Sequence, residues 1–427
     1  MPDRRLVVLI EGNVAGRVDQ DDRGRLQFAY DDAWRGDTSR TPLSLSMPLA
    51  ASTYPDEVIR PFLWGLLPDN ERVLERWARE NQVSAGNPFA LLTAVGEDCP
   101  GAVQLAPPER IDALLRGEGG VDWLDERQIA ESLRQLRADP SAWHVVESGQ
   151  FSLGGAQSKT ALLHDPATGA WGAPRGARPT THILKPAVTG LDEHDLNEHL
   201  CLLVARRLGL PAARTQVLSF GGERVIVVER YDRRPAEDGI RRVHQEDLCQ
   251  ALGVLPGRKY QNDGGPSPAD IVGLLRANVR PWREAEAAVA TFVDALALNW
   301  VLAGTDAHAK NYSLLLAGSG VRLAPLYDIA SMLPYGEHLP KLKLAMKIGG
   351  EYRLGLIAER HWRRLADELG LDADGVVERV VGIVERVPGV MADVAGSAEV
   401  RAVGSSLPQG LVDRVGEWAA ACRASLG

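Results

Sequence analysis

The run AAVATFVDALALNWVLAG, residues 287–304, constrains the chain more than any other stretch. Val289, Phe292, Val293, Leu296 and Trp300 recur at helical spacing on one face. Most of the other positions are small or apolar, so this helix has to be buried by other elements. It runs directly into a polar stretch, GTDAHAKN at 304–311. YSLLLAGSGVRLAPLYD, 312–328, then reads as a short β interruption with a glycine turn, ending in Asp328. A buried helix therefore delivers a polar loop, and strands lead the chain away from it.

The sequence before this helix has a different character. LVVLIEGNVAGRVDQDDRGRLQFAY alternates apolar and polar residues and predicts a hairpin or small meander. PFLWGLLPDNERVLERWARE, from Pro61, has helical spacing with Asp69 or Asn70 as a start signal. NPFALLTAVGEDCPGAVQL predicts a helix that turns into a strand. Charged, helix-prone sequence continues to about residue 140. From 150 to 233 the order is strand, glycine-rich turn, strand, helix and hairpin: FSLGGAQSKTALL, THILKP, LNEHLCLLVARRLGL (an amphipathic helix) and TQVLSFGGERVIVVERYD. After Asp232 the chain is mostly helical. The expected class is α+β. A small N-terminal α/β subdomain with a helical connector spans 1–140, and a β-rich subdomain spans 141–232. A helical C-terminal domain spans 233–427, and the whole is bilobal.

A chain of 427 residues with 45% hydrophobic and 25% charged residues is long enough to bury its cores without staples. The four cysteines form no CxxC pair, so they suggest neither a zinc knuckle nor a disulfide framework. The apolar run Leu6 to Ile10 is too short for a signal peptide, and no stretch approaches the ~18 apolar residues of a membrane span. The expected location is the cytoplasm. A net charge of −9 argues against DNA binding by the whole surface. Only seven of the 48 basic residues are lysines, and all seven lie between 159 and 347. Where arginine otherwise fills basic positions, a lysine marks a place that needs a compact point charge.

The chemistry falls in that window. Asp306 and Asn311 have the D-x4-N spacing of a kinase catalytic loop, and Asp328 supplies a second carboxylate. Phosphoryl transfer uses such a set: a base for the hydroxyl, and an amide oxygen and a carboxylate for metal. Lys185 ends the strand THILK, where a kinase lysine contacts phosphates, and Glu198 on the next helix is the glutamate available to pair with it. His194 and His199 on that helix do not form the HExxH pattern of a zincin. SLGGAQSKT lacks the Walker A glycine spacing. Its small residues Gly154, Gly155 and Ala156 suit a loop whose N–H groups lie over phosphates, with Lys159 adding charge. VVERYD, 227–232, joins the β-rich and helical parts, the place of a kinase hinge.

These segments together resemble the HipA toxins, serine/threonine kinases of bacterial type II toxin–antitoxin modules. PLSLSMPL, FLWGLLPDN, GAVQL, FSLGGAQSKTALL, THILKP, VVERYDR, HQEDLCQALG, YQNDGGP, GTDAHAKNYSLLL, LYDIASMLP and LKLAMKIGG occur in family order, nearly end to end. The resemblance implies a bilobal, kinase-like fold with 141–232 as its N-lobe-like part, and ATP and Mg²⁺ as cofactors. It implies Asp306 as catalytic base and Asn311 and Asp328 as Mg²⁺ ligands. It implies an ATP site drawn from Gly154, Gly155, Ala156, Gln157, Ser158, Lys159, Lys185, Glu229, Arg230, Tyr231, Gln245, His308, Lys310, Asn311, Tyr327 and Asp328. Ser152 matches the serine that such kinases autophosphorylate to switch themselves off. Family substrates are aminoacyl-tRNA synthetases, notably the glutamyl enzyme. The usual partner is a HipB-like helix-turn-helix antitoxin dimer that binds operator DNA. Ser158 departs from the acidic residue expected at its place. A small-molecule kinase and a kinase-shaped corepressor that transfers no phosphate are the alternatives.

Overall fold

The structure, a computed structural model, describes residues 4–37, 39–143, 151–188, 190–237, 239–336 and 341–427. It is α+β, and the chain folds into two compact units that interleave in sequence. One unit comprises 1–186, 218–257 and 313–322; the other comprises 187–217, 258–312 and 323–427. These crossings differ from the boundaries at 140 and 232 expected from sequence. Among the described residues, no helix is long and apolar enough to cross a membrane.

The first unit opens with the expected meander. Arg5–Ile10, Asn13–Gln20 and Leu26–Tyr30 pair antiparallel, flanked by Thr53–Tyr54 on one side and Val103–Ala106 on the other. Leu6, Val8, Ile10, Val18 and Phe28 join Ile59, Phe62 and Leu63 of the helix Asp56–Leu66 in one large core. Asn70, one of the two expected start signals, caps the helix Glu71–Glu80 by accepting from Arg72 N.

A second sheet has six strands in the order Thr215–Phe220, Glu223–Glu229, His182–Lys185, Thr160–His164, Trp171–Gly176, Gly119–Leu124. Its strand period of two divides its side chains. Leu162, Leu184, Val225 and Val227 pack with Ile129, Ala130 and Leu133 of the helix Glu126–Ala138. Ala161 and Ile183 turn to the opposite face and join the large core. Alternation therefore sends Lys185 to the face away from that helix.

Two polar groups buried in this unit matter for stability. Asp98 lies under Arg230, Arg233 and Arg242. Glu246 receives Ser44 Oγ and Leu45 N at 2.5 and 2.8 Å. Burial pushes the Glu246 carboxyl up to about 8, only partly opposed by those two bonds. The folded state therefore keeps a proton on this acid that the unfolded chain has already lost above about pH 4–5. Stability falls as pH rises from there and levels off near pH 8. Glu246→Gln is expected to flatten that part of the stability curve. Thermal unfolding of both proteins at pH 5, 6, 7 and 8 checks it.

The second unit is built on the buried helix, which runs Trp282–Val301. Val289, Phe292, Val293, Leu296 and Trp300 are all buried, as their spacing predicts. Trp300 lies against Trp362, and its carbonyl accepts from Trp418 Nε1. The helices Ala373–Ala395 and Leu407–Ala424 pack beside it. The helix His194–Arg207 differs from the amphipathic reading, because it is buried almost all round. Its polar residues are spent on internal bonds: Asn197 exchanges two with Ser331, and His199 Nδ1 meets Thr215 Oγ1 at 2.8 Å.

Candidate active site

The polar loop begins where the long helix runs out. Ala303 takes a positive φ of 52° and Gly304 N donates to Asn299 O at 2.7 Å. A Cβ at Gly304 would lie 2.3 Å from Asn299 Oδ1, so a larger residue here would have to displace the Asn299 side chain. The Asp306 carbonyl then accepts twice, from His308 N at 2.8 Å and from Asn311 Nδ2 at 2.7 Å. Asn311 N in turn donates to His308 O. The five-residue spacing of Asp306 and Asn311 is thus closed into a small hydrogen-bonded loop. With its Nδ2 engaged, Asn311 keeps its carboxamide oxygen as an acceptor.

Asn311 and Asp328 line the same narrow cavity, of about 10 Å³, together with Asn299, Tyr312 and Tyr327. Asp328 holds a positive φ of 59°, a conformation that costs free energy in a residue with a side chain and clusters at functional sites. The segment leading to it is anchored in this unit, since Leu326 N donates to Pro211 O and Ala213 N to Leu326 O. Tyr327 donates to Lys310 O at 2.7 Å. His308 and Lys310 are buried, whereas the Asp306 side chain is 68% exposed. The loop therefore presents one solvent-facing carboxylate on a rigid, buried base.

One contact here was missed at the sequence level. The Tyr260 hydroxyl donates to Asp306 Oδ1 at 2.5 Å. The Tyr260 ring stands edge-on to His308 at 4.9 Å, and the neighbouring Lys259 carbonyl accepts from Ala309 N. The available signal was YQNDGGP, which carried the resemblance but received no role.

The remaining predicted site residues lie in the first unit. Ser152 is fully buried, donates its hydroxyl to Leu66 O at 2.7 Å and its N–H to Asp98 O at 2.9 Å. Gly155 has φ +95° and forms a bridge with Pro68, and its carbonyl accepts from Asp69 N. Lys159 folds back into this loop: its ammonium donates to Gly154 O at 2.7 Å and lies 4.5 Å above the Trp143 ring. The side chains of Gln157 and Ser158 donate to Pro186 O and Pro140 O. The segment is thus held by main-chain acceptors. Lys185 is buried at the end of its strand, opposite Ile226. Glu198 is buried in the other unit.

Glu229 is exposed and Tyr231 half-buried, whereas the Arg230 guanidinium is committed to Asp232, Thr180 Oγ1 and Cys99 O. Its main chain is engaged too: the N–H donates to Thr181 O and the carbonyl accepts from Arg233 N. Gln245 is half-buried on the strand His244–Asp247, opposite Leu315. Among the described residues, no cluster of three or more His, Cys, Asp or Glu could hold a metal by itself.

The HipA N-terminal domain model matches residues 6–106, and the HipA-like C-terminal domain model matches 151–391. The Sinorhizobium fredii protein named "Putative kinase Y4mE" is 38% identical over 89% of this chain and 89% of its own length. The "Serine/threonine-protein kinase toxin HipA" of Shewanella oneidensis is 30% identical over 80% of this chain and 78% of its own. The solved complex of Shewanella oneidensis HipA, HipB and operator DNA contains a chain similar to this one, with TM-score 0.80 and 26% identity. The match covers 98% of this chain and 99% of that one.

Proposed function

Because this chain belongs to the HipA family, we propose that it is an ATP- and Mg²⁺-dependent protein serine/threonine kinase acting as a toxin in the cytoplasm. The observation that carries the reading is the loop 304–311: Asp306 stands exposed on a closed turn whose Asn311 shares a cavity with Asp328. Asp306 accepts the proton of the attacking hydroxyl as its oxygen bonds to the γ-phosphorus and the bond to ADP breaks. Asn311 and Asp328 would hold Mg²⁺. Their donor set fits, since Mg²⁺ takes oxygen and is usually held by one or two protein groups, with phosphates and water completing its shell. Mg²⁺ held there would neutralise charge on the phosphates.

ATP contacts are assigned to Lys185, to the loop Gly154–Lys159, to His308, Lys310 and Tyr327, and to Gln245. The main chain of 229–231 takes the adenine. The protein substrate is an aminoacyl-tRNA synthetase, of glutamyl type by family resemblance. The partner is a HipB-like antitoxin dimer, through which operator DNA is reached. A chain of net charge −9 is expected to give no salt-sensitive gel shift alone and to give one only with its antitoxin. Induced expression should arrest growth, co-expressed antitoxin should relieve the arrest, and Asp306→Asn should cause none; arrest by that variant contradicts the reading.

Ser152 is the autophosphorylation site in this account. Fully buried and bonded to Leu66 O, it has no room for a group carrying ~1.5–2 negative charges. Modification therefore requires the segment around Ser152 to leave its seat, and the phosphate then prevents its return. Ser152→Ala is expected to stay unphosphorylated with Mg-ATP and to remain active over many turnovers while the wild type decays. Phosphopeptide mapping along a time course checks both.

A further inference from the structure

We propose that Tyr260 is the positioning residue for Asp306, holding its carboxylate so that one oxygen is left for the substrate hydroxyl. This rests on the reading of Asp306 as base. The Asp306 side chain is 68% exposed, and an exposed carboxylate is free to turn about its side-chain torsions. The Tyr260 hydroxyl is bonded to Oδ1, which fixes one oxygen and leaves Oδ2 as the proton acceptor.

Tyr260 is itself held. Its ring stands against buried His308 at 4.9 Å, and the Lys259 carbonyl accepts from Ala309 N, which ties residues 259–260 to the catalytic turn. On the other side, Gln261 Oε1 accepts from Lys347 N, fixing the segment to the strand Lys343–Ile348. The phenol keeps its proton throughout. In the step it serves, the seryl O–H proton passes to Asp306 Oδ2, the seryl oxygen bonds to the γ-phosphorus, and ADP leaves with the electrons of the broken P–O bond. Tyr260 acts on the geometry of that transfer and does not bind ATP.

The test is ADP release from Mg-ATP by the full chain as wild type, Tyr260→Phe, Asp306→Asn and the double variant. Removing the hydroxyl is expected to lower kcat ~10–100-fold, the scale of lost positioning at a proton-transfer site. The KM for ATP and the melting temperature should stay near the wild-type values. In the Asp306→Asn background the same change should cost nothing further, which a merely structural role would not produce. If Asp306→Asn abolishes turnover while Tyr260→Phe keeps the wild-type kcat, the positioning proposal is wrong. Equal fold-losses in both backgrounds also overturn it. If Asp306→Asn turns over ATP like the wild type, or the wild type turns over none, the reading of Asp306 itself has failed.

Discussion

Asp306→Asn is expected to lower phosphoryl transfer by ~10³-fold or more while leaving the fold and ATP binding intact. General-base catalysis contributes ~10²–10⁴-fold, and an amide cannot accept the proton. The substitution is structurally mild because the two bonds that close the loop use the main-chain carbonyl of Asp306. Tyr260 can still donate to the amide oxygen, and the exposed side chain creates no cavity. Single-turnover transfer together with equilibrium nucleotide binding separates the two effects. A loss of binding in parallel with the loss of transfer would mean that Asp306 holds nucleotide and does not handle the proton.

Asp98→Ala is expected to destabilise the first unit by ~3–5 kcal/mol, the cost of breaking a buried ionic network on one side. Asp98 accepts from Thr180 N and Oγ1 at 3.0 and 2.6 Å, and its oxygens lie 2.9, 3.3 and 3.5 Å from Arg233, Arg242 and Arg230. Without it, Arg230 and Arg233 share the buried carboxylate of Asp232, and Arg242 keeps its bond to Ala177 O. Burial alone would push the Asp98 carboxyl up, but the three guanidinium groups outweigh it and hold it well below the usual range. A depressed acid stabilises the fold fully above its unfolded value, near pH 4, and that stabilisation is lost as pH falls through the lower folded value. The deficit of Asp98→Ala should therefore be constant from pH 5 upward and shrink in strong acid. The exposed pair Arg423–Glu385 supplies the contrast: Glu385→Ala should cost under ~1 kcal/mol. Thermal unfolding of the three proteins side by side checks both; an Asp98→Ala midpoint within a degree or two of wild type contradicts the account.

The polar loop 304–311, the glycine-rich loop, the strand carrying Lys185 and the hairpin at Gly221–Gly222 were legible as local structure because each is dictated locally. Val289 to Trp300 shows its period within a few turns, and Asn70 announces its helix one residue ahead. The network around Asp98 left no such trace. Arg230 and Arg233 stand more than 130 residues from it, and ion pairs have no period to read. Arg230 therefore looked like a nucleotide residue when its side chain is structural. Tyr260 and Asp306, 46 residues apart, were hidden for the same reason. The helix His194–Arg207 misled in the opposite direction. Its polar residues suggested a solvent face, but Asn197 and His199 are buried and each found an internal partner. The interleaving of the two units is likewise a property of long-range contacts, since the crossings near 186, 217, 257, 312 and 322 fall in no common type of linker.

The central claim is that this chain transfers a phosphoryl group by means of Asp306. Intact mass spectrometry of the purified, initially unphosphorylated protein, before and after incubation with Mg-ATP and beside Asp306→Asn, tests it most directly. The account predicts that the wild type gains one phosphoryl group, that the group maps to Ser152, and that Asp306→Asn gains none. A wild type of unchanged mass, or an equal gain by the variant, would contradict it.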